Sequence, residues 1–94
     1  MKKQRKEASD NIFLDLGFGA DEAAVLQIRA SLMNDLRLYT ETKRLTQAEA
    51  AKRLGIAHSR VSDLVRGKWE KFSLEMLIML EARLGRTVKV ELTA

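Results

Sequence analysis

Ninety-four residues without a cysteine leave no route to a disulfide or a cysteine-based zinc site, and a single histidine is too few for a histidine metal centre. A chain of this length makes one domain that buries only about two-thirds of its unfolded surface, so a second subunit is a natural source of further burial. The net charge of +4 is unevenly spread: residues 43–71 hold eight Lys or Arg against three acidic residues, whereas residues 8–42 hold six acidic against two basic. No segment has the apolar length and flanks of a signal peptide or membrane span, which makes the cytoplasm the expected compartment.

Residues 1–9 form a basic arm with Lys2, Lys3, Arg5 and Lys6, too polar and short to pack alone. A solubilising tail, a groove-binding arm and a segment that folds on a partner all fit it. From Ile12 to Phe18 the chain turns apolar and is expected to dock on the domain as an extended piece or a short helical turn, ended by Gly17 and Gly19. Asp21 is placed to cap a long helix whose Val25, Ile28, Leu32, Leu36 and Tyr39 recur every three or four residues along one face. Its acidic outer positions, Glu22 and Asp35 among them, suit either a solvated face or a basic partner protein.

Residues 46–67, TQAEAAKRLGIAHSRVSDLVRG, read as two short helices around a glycine turn. Thr46 and Glu49 have capping-box spacing, and Gly55 stops the first helix by taking a backbone conformation that other residues resist. Ala48, Ala51 and Leu54 give the first helix an apolar face, and Val61, Leu64 and Val65 do the same for the second; Gly67 ends it. Ala57 is a poor cap for that second helix, so Ser59 is an alternative start. Trp69 is read either as packing over the second helix or on Phe72, or as contacting a DNA backbone or partner.

Phe72, Ser73 and Leu77 have the spacing of a hydrophobic staple around a Ser N-cap, opening a further helix. Leu74, Leu77, Ile78, Leu80 and Leu84, with Met76 and Met79, make its apolar surface wide enough to fill an irregular core or to serve a dimer. After Gly85, residues 87–94 alternate Val88, Val90 and Leu92 with Lys89 and Glu91, the periodicity of a strand. A lone strand leaves its backbone unpaired, so this segment is expected to pair across a twofold homodimer.

Hydrogen-bonding side chains gathered along the second motif helix are what major-groove reading requires. The segment resembles the lambda-repressor-like, or XRE-type, helix-turn-helix family through Gln47, Ala50-Ala51, Leu54-Gly55-Ile56, Val61-Ser62-Asp63-Leu64 and Gly67. The flanks, Asn11 to Phe18, Phe72-Ser73-Leu74 and Leu84-Gly85-Arg86, are similar to the short XRE regulators that include HigA-type antitoxins.

The resemblance implies an all-α bundle over residues 10–86 and a repressor acting on an inverted-repeat operator of double-stranded DNA. It further implies base contacts from His58, Ser59 and Arg60, with phosphate contacts from Gln47, Ser62, Arg66 and Lys68. Arg60 has a second reading as a surface partner of Asp63 or Glu49. Val88, Val90 and Leu92 are the dimerisation residues in this scheme, and a cognate toxin is the possible protein partner. No cofactor is expected, and the inventory lacks the minimum parts of a nucleophilic or metal-dependent enzyme. The competing class is a protein-binding module that keeps the helix-turn-helix only as a weak DNA anchor.

Overall fold

The computed structural model describes residues 11–93, so the basic arm over residues 1–9 lies outside the described residues. Among the described residues five α-helices and one 3-10 turn follow in order: α1 Ile12–Asp15, α2 Ala20–Thr42, α3 Gln47–Leu54, α4 His58–Val65, the 3-10 turn Trp69–Lys71, and α5 Leu74–Arg83. The long α2 is the spine on which α1, α4, the 3-10 turn and α5 pack, while α3 is held between α4 and α5.

The main core joins Met33 and Leu36 of α2, Leu54 of α3, Leu64 of α4, Phe72, and Leu77 and Leu80 of α5. Each comes from a helical stripe, and together they remove apolar surface from water at roughly 25 cal/mol per Å². A smaller cluster of Phe13, Ala23 and Leu26 seats α1 against the start of α2. Trp69 belongs to both: its indole meets Phe13 and Phe18 edge-on, with centroids 5.7 and 6.3 Å away, and also packs on the main core. Packing is therefore the role seen for Trp69, with Phe13 and Phe18 as its aromatic partners and the cluster that holds Leu64 and Phe72 on its other side.

α1 is the short helical turn expected for the first apolar stretch. Asn11 caps it by accepting from the Phe13 N–H at 3.0 Å, and its amide donates to the Ala23 carbonyl at 3.0 Å.

α2 departs from the sequence expectation at both its start and its face. Gly19 occupies the N-cap position, and its carbonyl accepts the first helical bond from Ala23. Asp21 sits inside the first turn, its carboxylate accepting from the Glu22 N–H, where it still complements the helix dipole. The buried stripe is Ala23, Leu26, Met33, Leu36 and Thr40, while Val25 and Ile28 are each 40% exposed. Neighbouring stripes are only about 100° apart on a helix. What selects this one is the coverage of Ala23 and Leu26 by α1 and Trp69, a long-range contact invisible to local periodicity.

α2 ends with Arg44 in the left-handed region, φ 54°, and the Leu45 N–H reaching back to the Thr40 carbonyl. Phe72 and Leu77 share the main core on either side of Ser73, whose hydroxyl accepts from the Met76 N–H, so the staple at α5 forms as read.

The expected strand over residues 87–94 does not form: residues 86–93 carry no regular structure, and no strand occurs among the described residues. A strand needs a ladder partner, and the chain by itself supplies none. Val88 is half-buried, whereas Val90 and Leu92 are 71% and 97% exposed.

One polar group lies within the α2–α5 seam. Glu81 is buried, its position falling one turn after Leu77 on the core face. The Arg86 guanidinium reaches Asp35 of α2 at 2.5 Å and Glu81 at 3.4 Å while lying over the Tyr39 ring. The second Glu81 oxygen has no partner. Burial and the neighbouring Asp35 carboxyl push the Glu81 pKa up to about 7, against the pull of Arg86.

Two predictions follow from this packing. Gly55 has φ +69°, and an added Cβ would meet nothing closer than the Arg83 guanidinium at 3.5 Å, so Gly55→Ala should cost about 1–2 kcal/mol through backbone strain alone; urea denaturation checks it. Glu81 keeps its proton in the folded state up to about pH 7 but loses it near 4.5 when unfolded, so its contribution is full below pH 4.5 and is lost as pH rises through 7. Glu81→Gln should therefore raise stability by about 1–3 kcal/mol at pH 8 and make little difference at pH 4.5, as read by thermal melts across that range.

Candidate nucleic-acid interface

The site begins at the start of α3. The Thr46 hydroxyl accepts from the Glu49 N–H at 3.1 Å, and the Glu49 carboxylate accepts from the Thr46 N–H at 2.8 Å. These reciprocal bonds form the capping box expected from the sequence. Hydrogen bonding from Thr46, backbone first and hydroxyl second, holds the Glu49 carboxyl below its usual range. Gln47 is thereby fixed at the first position of α3, exposed at the positive end of the helix dipole.

α3 buries Ala50 and Leu54, while Ala48 faces solvent. The apolar stripe is therefore rotated from the one expected through Ala48, with Ala50 buried and Ala51 half-buried in its place. At Gly55 the chain reverses in the left-handed conformation, with the Gly55 and Ile56 N–H groups both donating to the Ala51 carbonyl. Arg83 of α5 reaches across and donates to the Leu54 carbonyl at 2.8 Å, satisfying a helix-end acceptor and fixing the turn from outside the motif.

α4 starts at His58 with Ala57 as its uncapped N-terminal neighbour, so Ser59 is not the cap and lies within the first turn. Val61 and Leu64 anchor the helix in the core. At about 100° per residue, Ser59 and Arg66 lie roughly opposite the Val61–Leu64 midpoint, with Ser62 and Asp63 about 50° to either side and His58 at the edge of the arc, about 90° away. His58, Ser59 and Arg66 are exposed and Ser62 is half-exposed, so the helix presents one polar stripe outward. Lys68, half-exposed, follows Gly67 at the exit.

Arg60 is the exception among the expected base readers. It lies only about 40° from Leu64 on the same wheel, on the flank of the buried face. Its guanidinium sits over the Phe72 ring at 4.6 Å and donates to the Lys71 carbonyl at 3.1 Å. Neither Asp63 nor Glu49 pairs with it among the described ion pairs. The offset from Leu64 was present in the sequence, whereas the position of Phe72 was not.

The electrostatics of the motif are one-sided. The salt bridges among the described residues join Arg37 to Glu41 and Arg86 to Asp35 and Glu81, and none of them engages a basic residue of the 43–71 segment. Arg53 bonds to the Tyr39 hydroxyl and Lys43 lies over the Tyr39 ring, contacts that leave both charges intact. Cations held outside direct ion pairs, in a segment with eight basic and three acidic residues, are suited to a phosphate backbone. No cluster of three or more metal-ligating side chains occurs among the described residues. No described helix is long and apolar enough to cross a membrane.

Compared with known families, residues 12–93 match the helix-turn-helix domain family. The chain belongs to that family, an assignment that covers the motif together with α1, α2 and α5. No curated protein and no solved structure matches it. Membership makes this helix-turn-helix protein a DNA-binding regulator.

The capping box gives a test of the local geometry. Thr46→Ala should cost about 1 kcal/mol. The Glu49 carboxyl should also titrate closer to its ordinary value, as followed by carboxyl-carbon NMR shifts.

Proposed function

We propose that this helix-turn-helix protein is a sequence-specific repressor of the XRE type that acts by occupying an inverted-repeat operator, without a catalytic step or cofactor. The observation that carries the reading is the outward stripe of His58, Ser59, Ser62 and Arg66 on a helix locked from behind by Val61 and Leu64. In this scheme α4 enters the major groove, His58 and Ser59 meet base edges, and Gln47, Ser62, Arg66 and Lys68 hold phosphates. Arg60 is left out of base reading because its head group is already engaged on Phe72 and Lys71.

Two copies are needed to read two half-sites about 34 Å apart. Val88, Val90 and Leu92 supply the joint in this proposal, since their alternation with Lys89 and Glu91 suits a strand paired across the twofold axis. The chain's similarity to short XRE regulators supports a further role as an antitoxin that represses its own operon, located in the cytoplasm on the nucleoid. Its acidic α2 surface, including Glu22, would then face a basic toxin.

The experiment is binding-site selection from a random duplex library, followed by anisotropy titration at two salt concentrations. The expected result is an inverted repeat bound at two chains per site, about a thousandfold or more above a scrambled duplex. His58→Ala should relax preference at one base pair per half-site by about 1–3 kcal/mol, whereas Lys68→Ala should weaken all duplexes alike and flatten the salt dependence. Equal, salt-sensitive binding to every duplex would reject the repressor reading in favour of a protein-binding module.

A further inference from the structure

We propose that Arg60 is a positioning residue that clamps the first turn of α4 to the Lys68–Phe72 segment, setting the base-reading and phosphate-holding groups in one register. This rests on the DNA-reading function proposed above.

Ala57 offers no side-chain acceptor, so the N-terminal end of α4 is held by the burial of Val61 and by whatever its polar side chains reach. Among the described residues, the bond from Arg60 to the Lys71 carbonyl is the one side-chain hydrogen bond that leaves α4. Its target is firm, because Phe72 is 1% exposed and belongs to the main core. The guanidinium lies 4.6 Å from the ring centroid, close enough for a cation–π contact.

The Arg60 Nε is buried and has no partner, so the side chain is packed on the ring instead of hydrogen-bonded at every donor. A planar guanidinium can stack on the ring and donate in its own plane at once; an ammonium cannot reproduce that pair of contacts. The clamp spans the Gly67 turn. On one side of it stand His58 and Ser59, and on the other Lys68, so its loss would let the two sets of contacts drift relative to each other.

A base reader and a clamp differ in where specificity is lost. The test uses the full chain and its Arg60→Lys and Arg60→Met variants, each confirmed folded by circular dichroism, against the operator selected by the wild type and all its single-base variants. The clamp predicts that Arg60→Lys, although it keeps the charge, binds the operator about tenfold more weakly, with preference eroded at every position of the half-site and an unchanged salt slope. It also predicts that the Arg60 side-chain protons of the wild type keep their upfield ring-current shifts from Phe72 in free and operator-bound protein.

Loss of preference at a single base pair, or disappearance of those shifts on binding the operator, would show that Arg60 swings out to read a base and would overturn the proposal. Wild-type affinity and preference in Arg60→Lys would overturn it as well. A wild-type chain that selects no sequence would overturn the DNA-reading function itself, and the positioning role with it.

Discussion

α3 and α4 have eight residues each, and helices shorter than about 12–15 residues are marginal in water by themselves. Their existence depends on burying Leu54 and Leu64 in the core shared with α2 and α5, and on the burial of Val61. The motif is thus a product of the tertiary fold, and its local signals decide where each helix begins and ends. Thr46 fixes the start of α3, Gly55 fixes its end, and Arg83 secures the Leu54 carbonyl between them. Deleting α5 would remove both that capping guanidinium and the Leu77 and Leu80 side chains from the core that keeps the short helices folded.

The division of charge follows the same architecture. Glu41, Asp35 and Glu81 find arginines, whereas Lys43, Arg53 and Arg60 meet a ring, a hydroxyl and a carbonyl, none of which carries an opposing charge. The 43–71 segment therefore keeps its net positive charge on residues that also pack. Such a charge accelerates encounter with a polyanion before any specific contact forms.

The motif was legible in the sequence because its determinants are local. Thr46 with Glu49, the glycine turn, and Ser73 flanked by Phe72 and Leu77 each report on a few neighbouring residues, and each forms as read. What local pattern does not carry has a different cause. The buried face of α2 is chosen by α1 and Trp69, and the contacts of Arg60 by Phe72 twelve residues later. The stretch after Gly85 shows the converse case: its alternation is real, yet a strand is a relation between two chain segments and cannot be realised by one.

Trp69 is the sole tryptophan of the chain, and it lies where the two apolar clusters meet. An indole in that place is a built-in optical reporter. Release of α1 would remove Phe13 and Phe18 from one side of the ring, and melting of the main core would open the other. A single emission spectrum therefore registers both halves of the domain. Two separate transitions in its red shift would mean that the clusters come apart independently; one transition would mean that they form a single cooperative unit.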